Sequence, residues 1–176
     1  LIHSCGAWMG IQLMHLGRQG GEIQGYQPVA PSPIPLTPRD KAPRELTGGE
    51  VEGLVERFAE AARRAREAGF DLVELHGCHG YLLSSFLSPL TNKRSDRYGG
   101  SVANRARIVV EIVKLIKQEV GPDFPVSVRM NGSDYMPGGT TADMARQTAE
   151  LLEEAGANMI SVSGGAYGSY PVIVPP

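Results

Sequence analysis

Strand-like and helix-like segments alternate along this chain, and this alternation constrains the fold more than any other feature. Short apolar runs predict strands, and stretches with apolar residues at helical spacing between capping residues and closing glycines predict helices. The predicted strands cover residues 10–16, 70–75, 125–130 and 158–163, and the predicted helices cover residues 49–68, 101–120 and 140–155. Strands joined by helical crossovers pair in parallel, so the sequence predicts an α/β architecture.

One helix-to-strand junction occurs twice in the sequence. Residues 67–75 align without gaps on residues 154–162, and in both segments a Gly separates the helix from an apolar strand. Repeated units favour a (β/α)8 TIM barrel, whereas a doubly wound nucleotide-binding fold carries Gly-x-Gly-x-x-Gly after its first strand, which is missing here. A whole barrel takes about 250 residues. We therefore expect residues 1–176 to form a single partial domain, about half a barrel, covering roughly strands 3 to 6.

A Pro-rich segment separates the first predicted strand from the first predicted helix. Residues 19–46 contain six of the 13 prolines, and we expect them to form a surface loop within the domain. The chain begins with Leu1. We expect it to be a piece of a longer protein.

Composition excludes several classes of function. The formal net charge of −2 leaves no basic excess for nucleic acid or an anionic membrane surface. No run approaches the ~18 apolar residues of a membrane span. Cys5 and Cys78 are too few for a disulfide framework, which favours a reducing, cytoplasmic location. We therefore expect no nucleic-acid partner and no membrane partner.

Polar side chains cluster where the predicted strands end, which is where the active sites of TIM barrels lie. The candidates are Gln12, His15, Arg18, His76, His79, Tyr81, Arg129 and Ser163. A His-x-x-His pair also fits a zinc site, but no third ligand stands at a recognisable spacing, so no metal is predicted. Lone histidines such as His15 are more often structural, and Arg18 fits a loop salt bridge as well as a cofactor or phosphate contact.

Four motifs resemble the Old Yellow Enzyme family of FMN-dependent ene-reductases. They cover residues 10–18 (GIQLMHLGR), 74–101 (ELHGCHGYLLSSFLSPLTNKRSDRYGGS), 104–107 (NRAR) and 126–130 (VSVRM). The branch that the chain is most similar to contains bacterial 2,4-dienoyl-CoA reductases, 2-enoate reductases and thermophilic-type ene-reductases. The resemblance implies the TIM-barrel fold, FMN as cofactor and NAD(P)H as reductant. The remaining family-like residues between 92 and 105 are expected to fold the loop that precedes the second long helix.

The resemblance also implies roles for five residues. The family pattern His-x-x-His/Asn-x-Tyr falls on His76, His79 and Tyr81. The two histidines would bind the substrate and donate hydrogen bonds to its carbonyl oxygen, and Tyr81 would protonate the α-carbon. A phenol is protonated at neutral pH, as a proton donor must be. Gln12 would bind the pyrimidine edge of the flavin, and Arg129 would face flavin N1 and O2.

Two hypotheses about function follow. In the first, the chain belongs to an NAD(P)H-dependent reductase of the C=C bond in α,β-unsaturated carbonyl or enoyl small molecules, with amine oxidation as a variant that suits the histidine pair less well. In the second, it is an inactive truncated barrel segment or scaffold without its own FMN phosphate site. The resemblance assigns no iron–sulfur cluster to this segment, and assembly into a homo-oligomer is compatible with both hypotheses.

Overall fold

The computed structural model describes residues 1–20, 23 and 25–166 and follows the predicted alternation. The strands are β1 (Gly10–Leu13), β2 (Val29–Ala30), β3 (Arg44–Glu45), β4 (Leu72–Gly77), β5 (Val126–Asn131) and β6 (Met159–Ser163). The helices are α1 (Gly48–Glu67), α2 (Leu82–Leu87), α3 (Val102–Glu119) and α4 (Ala142–Glu154), with short 3-10 helices at His3–Cys5 and Gly17–Gly20. No helix in the described ranges is long and apolar enough to span a membrane.

Four strands form one parallel sheet in the order β1-β4-β5-β6, with β1 and β6 outermost. In its register, Gln12 lies opposite Glu74, Glu74 opposite Ser127, and His76 opposite Arg129. Because side chains alternate between the faces of a strand, these polar residues share one face of the sheet. The other face carries apolar side chains that are fully buried, namely Val73, Leu75, Val126 and Val128. The sheet therefore has a polar side and an apolar side for the helices.

The long helices begin at the predicted caps and pack on the apolar side. Thr47 and Glu50 form a capping box at the start of α1, and Ser101 caps α3 through the backbone N–H of Asn104. Ile108 and Ile112, one turn apart on α3, are fully buried in the core. Truncation of either isoleucine to alanine would cost about 2–5 kcal/mol.

The repeated junction in the sequence is also repeated in the structure. Asp71 precedes β4, donates its N–H to Met9 O at 2.8 Å and accepts the N–H of Met9 on its carboxylate at 2.6 Å. Asn158 precedes β6 and makes the same two bonds to Val126, at 2.8 Å and 3.0 Å. Each pair of bonds, here called a strand clamp, joins the start of one strand to the start of its neighbour.

The structure differs from the sequence-based expectations in four places. The first predicted strand, residues 10–16, ends at Leu13. The second predicted strand is shifted, because β4 continues to Gly77 through pairing with β5, so His76 lies inside the strand. Residues 82–87 lie outside the predicted helices but form α2, and residues 82–86 are buried. The Pro-rich segment is not exposed throughout, because Val29–Ala30 pairs with Arg44–Glu45 and residues 29–32 are buried. Residues 21, 22 and 24 of that segment lie outside the described ranges.

The family-like segment between residues 92 and 105 has the predicted structural role. Asn92 is buried and donates hydrogen bonds to the carbonyl oxygens of Phe86 and Tyr98, at 2.8 Å and 2.7 Å. Arg94 binds Asp96 and the carbonyl oxygen of Leu46. These bonds fix the chain between α2 and α3, and thereby the end of β4 that carries the candidate site.

Candidate active site

His76, His79 and Tyr81 meet at the carboxyl end of β4. The ring centroid of His76 lies 5.4 Å from that of His79 and 5.0 Å from that of Tyr81. His76 is buried, and the other two are half-buried. The three residues predicted from the motif therefore form one cluster, at the edge of the sheet where barrel enzymes carry their chemistry.

The backbone turns sharply between these residues. His79 has φ 59°, a backbone conformation that residues other than Gly rarely adopt, and Gly80 follows with φ 78°. A strained residue of this kind persists only where its surroundings hold it, and such residues are typical of functional sites. Three bonds hold His79: its N–H donates to Asn131 Oδ1 at 3.3 Å, its carbonyl accepts from Gln19 Nε2 at 2.8 Å, and its Nε2 lies 2.7 Å from Ser163 Oγ.

Asn131 is itself fixed by a buried carboxylate. Its Nδ2 donates to Asp134 Oδ1 and to the carbonyl oxygen of Gly165, both at 2.9 Å. Asp134 is 1% exposed and also accepts from Ser88 Oγ at 2.6 Å and from the N–H of Thr140 at 2.8 Å. The conformation of His79 thus depends on a buried polar network that reaches from β5 to the end of α2.

Burial controls the charge of the two histidines. Removal from water lowers the pKa of His76 below 6.5, and the nearby His79 and Arg129 lower it further. Burial likewise lowers the pKa of His79, with Arg129 as the second cause. Both imidazoles are therefore neutral at neutral pH, and each offers one N–H as a hydrogen-bond donor.

Cys78 lies between the histidines and forms a third potential metal ligand that the sequence spacing did not reveal. Ligand atoms of His76, Cys78 and His79 all lie within 4.8 Å of one another. Burial raises the pKa of the Cys78 thiol to about 11, so the sulfur keeps its proton at neutral pH. Metals bind the thiolate, and Arg129 places a positive charge beside the sulfur. The three residues therefore form a set of possible metal ligands, and the absence of a metal stays a prediction.

Gln12 and Arg129 flank this cluster on the polar face of the sheet. Arg129 pairs with His76 in the register, and its Nε is buried without a hydrogen-bond partner among the described residues. A buried, unpaired guanidinium nitrogen is costly unless a ligand supplies the acceptor. Gln12 is exposed, with its Nε2 bound to Glu74 at 2.7 Å. A cation and an amide on the same polar face fit the polar edge of a flavin ring.

Two other candidates have structural contacts instead. His15 Nδ1 accepts the N–H of Gly17 at 3.0 Å, and the hydroxyl of Tyr26 lies 3.5 Å away. Arg18 donates to the carbonyl oxygens of Pro35, at 3.0 Å, and Ile34. Arg18 therefore holds the Pro-rich segment through carbonyl groups, forms no salt bridge with the described residues, and keeps a buried Nε without a hydrogen-bond partner among them.

Sequence reasoning did not identify Asn131 and Asp134 as parts of the site. Both lie in the run N-G-S-D that directly follows the predicted strand 125–130. A polar residue at the carboxyl end of a barrel strand was the available signal. It did not reveal the partner Ser88, which is 46 residues away in sequence.

The fold and the site together define the class of flavin-dependent oxidoreductases built on TIM barrels. The model of one protein family, described as NADH:flavin oxidoreductase / NADH oxidase, matches residues 1–171. The chain belongs to this family, which implies FMN as cofactor and NAD(P)H as reductant.

Two curated relatives give the extent of the similarity. The NADH oxidase of Thermoanaerobacter brockii is 46% identical over 99% of this chain and 27% of its own length. The NADPH dehydrogenase of Geobacillus sp. (strain WCH70) is 44% identical over 94% of this chain and 48% of its own length. The chain thus spans about half or less of the length of these relatives.

Solved structures confirm the predicted fold and the Old Yellow Enzyme resemblance. A 2-naphthoyl-CoA reductase complex matches 94% of this chain and 27% of its own chain, with TM-score 0.85 and 36% identity. Morphinone reductase in complex with tetrahydroNAD matches 91% of this chain and 50% of its own chain, with TM-score 0.81 and 34% identity. The Old Yellow Enzyme homologue of Zymomonas mobilis matches 93% of this chain and 50% of its own chain, with TM-score 0.79 and 30% identity. The four-stranded sheet is therefore part of a TIM barrel.

Proposed function

We propose that this chain carries the substrate side of an NAD(P)H-dependent, FMN-containing reductase that acts on C=C bonds conjugated to a carbonyl group. The observation that carries the proposal is the cluster of His76, His79 and Tyr81, whose rings lie 5.0 Å and 5.4 Å apart beside Arg129. Two structural neighbours are reductases by name, morphinone reductase and 2-naphthoyl-CoA reductase.

The histidines bind the carbonyl oxygen of the substrate. Both are neutral donors, and the only hydrogen-bond contacts of His76 with described residues are to Cys78 Sγ, at 3.8 Å and 3.9 Å, so its N–H is available. When the β-carbon accepts hydride, negative charge accumulates on that oxygen. Preorganised donors aimed at such charge contribute roughly 3–4 kcal/mol each in comparable sites.

His79 is held in place before the substrate arrives. Its positive-φ backbone is fixed by Asn131 and Gln19, and its Nε2 contacts Ser163 Oγ at 2.7 Å. A donor that is already oriented pays little entropy when it binds the substrate. When the carbonyl oxygen of the substrate replaces Ser163 Oγ at His79 Nε2, the imidazole ring keeps the same number of hydrogen bonds.

Tyr81 supplies the proton for the α-carbon. Its backbone begins α2, which places the phenol next to the ring of His76 at an edge-on angle of 64°. General-acid catalysis of this kind contributes about 10²–10⁴-fold. Reduction of the double bond then consumes one hydride and one proton, and the carbonyl group is regenerated.

Gln12 and Arg129 hold the flavin ring. FMN supplies the hydride when bound. The half-buried Arg129, whose buried Nε has no hydrogen-bond partner among the described residues, provides a cation for the polar edge of the ring, and Gln12 adds an amide from β1, on the other side of β4. Both residues lie on the polar face of the sheet that also carries His76.

An FMN titration of the purified protein tests the proposal. We expect saturable quenching of flavin fluorescence, followed by NAD(P)H-dependent reduction of a simple cyclic enone. Arg129→Ala should weaken FMN binding, whereas Arg63→Ala, an exposed arginine of α1 paired with Glu67, should not. Binding of FMN that is equally strong in Arg129→Ala would remove that residue from the flavin site.

Ligand binding tests the two histidines separately. His76→Ala and His79→Ala should each weaken binding of a phenolic ligand to the FMN-loaded protein, because a phenolate oxygen accepts the same hydrogen bonds as the reacting carbonyl. His3→Ala is the matched control, since His3 contacts Asp71 at the opposite end of the sheet. Unchanged ligand affinity in both site variants would contradict their assignment.

The second hypothesis, a scaffold without activity, rests on the open sheet. β1 and β6 are its outer strands, and Trp8, Met159 and Val162 beside or on them are 78%, 52% and 70% exposed. Unpaired outer strands favour association with other strands. A folded sample that binds no FMN and elutes as a concentration-dependent oligomer would support this hypothesis against the enzyme.

A further inference from the structure

Three strands are connected by a short chain of hydrogen bonds below the histidine cluster. Glu74 on β4 lies between Gln12 on β1 and Ser127 on β5 in the sheet register. Gln12 Nε2 donates to Glu74 Oε1 at 2.7 Å, and Ser127 Oγ donates to Glu74 Oε2 at 2.9 Å. The function proposed above assigns no role to Glu74.

The carboxylate determines which end of the Gln12 amide faces it. A carboxylate that receives donors on both oxygens acts only as an acceptor. The Gln12 group that touches it must therefore be the NH2 group, and the carbonyl oxygen Oε1 is left facing elsewhere. No described residue donates a hydrogen bond to that oxygen. Ser127, which is 2% exposed, holds the carboxylate from the other side.

We propose that Glu74 is a positioning residue that orients the Gln12 amide so that its Oε1 accepts the N3–H of the flavin ring. The pyrimidine edge of a flavin has one donor, N3–H, between two carbonyl acceptors, so an amide with a fixed oxygen complements that donor. This inference rests on the proposed function, because it requires a flavin at Gln12. It adds a selectivity determinant that lies one residue layer below the reacting groups.

Because Glu74 is charged, FMN affinity alone cannot test its role in orienting the Gln12 amide. Glu74 raises the pKa of His76, where burial, His79 and Arg129 lower it, so its carboxylate acts electrostatically on the site as well. A neutral substitution would change FMN affinity through this field even if the amide orientation were irrelevant. The ratio of affinities for two flavins of equal charge removes this effect, because both flavins experience the same field.

The test compares FMN with N3-methyl-FMN, which lacks the N3–H donor, by fluorescence quenching of the purified protein. Wild-type protein should bind FMN roughly tenfold more tightly than the methylated form, as expected for one hydrogen bond. In Glu74→Gln, the neighbouring amide can turn either end toward Gln12, so the ratio should fall to within about threefold. Ser127→Ala is the matched control, because it changes the same carboxylate but keeps the bond to Gln12, and its ratio should stay near the wild-type value.

A double-variant cycle separates positioning from a general structural role. In a Gln12→Ala background the ratio should already be low, and Glu74→Gln should not lower it further. A wild-type ratio in Glu74→Gln, or an equal fall of the ratio in the presence and absence of Gln12, would overturn the assignment of Glu74 and leave the proposed function intact. Failure of the wild-type protein to bind either flavin would overturn both.

Discussion

Replacement of Asp134 should reveal the cost of the network that holds His79. Asp134→Ala removes the acceptor of three buried donors, which are Ser88 Oγ at 2.6 Å, Asn131 Nδ2 at 2.9 Å and the N–H of Thr140 at 2.8 Å. A buried donor left without a partner costs about 1–3 kcal/mol. The three together predict a loss of roughly 3–6 kcal/mol, since some of the donors will relax. That is a large part of the stability of a small domain, about 5–15 kcal/mol.

Asp134→Asn should cost less, for a geometric reason. An asparagine oxygen can replace the carboxylate oxygen that binds Ser88 and Thr140, but its NH2 group then faces the Nδ2 of Asn131. Asn131 cannot turn its amide to compensate, because its Nδ2 also donates to Gly165 and its Oδ1 accepts the N–H of His79. One bond is lost and two donors oppose each other, so we expect a loss of about 1–3 kcal/mol.

Urea unfolding followed by circular dichroism measures these losses. The matched control is Thr148→Val, because Thr148 is also buried but donates only to Met144 O within α4, and its loss should stay below about 1 kcal/mol. The expected order is Asp134→Ala, then Asp134→Asn, then Thr148→Val. A loss below about 1 kcal/mol for Asp134→Ala, or equal losses for all three, would refute the argument from unpaired donors.

Three further predictions concern catalysis, pH and helix capping. Tyr81→Phe should slow C=C reduction by roughly 10²–10⁴-fold but leave the rate of flavin reduction by NAD(P)H unchanged. Stopped-flow measurements separate the two half-reactions, and equal losses of rate in both would reject Tyr81 as the proton donor. Burial lowers the pKa of His15, His76 and His79 below 6.5, so these residues bind more protons in the unfolded chain than in the folded protein. The urea midpoint should therefore fall as the pH drops from about 7 to 5. Replacement of all three histidines by Gln should make the midpoint less dependent on pH. Thr47→Ala removes the capping box of α1 and should cost about 1–2 kcal/mol in thermal or urea unfolding, whereas no loss would mean that tertiary contacts alone hold the helix start.

The sheet and its long helices could be predicted because their signals are local and periodic. The apolar face of α3 repeats every three or four residues, and Thr47, Ser101 and Thr141 cap the helices where the sequence places them. The end of β4 could not be predicted, because His76 joins the strand only through its partner Arg129 on β5. Pairing between strands about 50 residues apart leaves no mark on the local sequence.

The sequence of helix α2 shows no helical spacing of apolar residues. It has six residues, and Ser84 and Ser85 are buried together with its leucines, so no polar face marks it as amphipathic. The tertiary bond from Leu82 N to His15 O, at 3.1 Å, helps to fix its first residue. Such contacts decide the structure of short helices, whose intrinsic stability is low.

The candidate site divides in the same way. His76, His79 and Tyr81 lie within six residues, so a motif could show them. Glu74 contacts partners on the two neighbouring strands, and Asn131 contacts His79 and Gly165, which lie in loops 52 and 34 residues away in sequence. The residues proposed to touch the ligand could therefore be predicted from the sequence, whereas the residues proposed to orient them required the structure.

The two strand clamps have a consequence for how this fold can change. Asp71 and Asn158 join neighbouring strands at the amino end of the sheet, and the histidine cluster lies at the carboxyl end. The alignment of the strands is thus maintained in part by groups at the end of the sheet opposite the candidate site. Loops at the carboxyl end can diverge without disturbing these contacts, so a graft of foreign loops onto this sheet should retain its fold as long as both clamps and the buried network of Asp134 are kept.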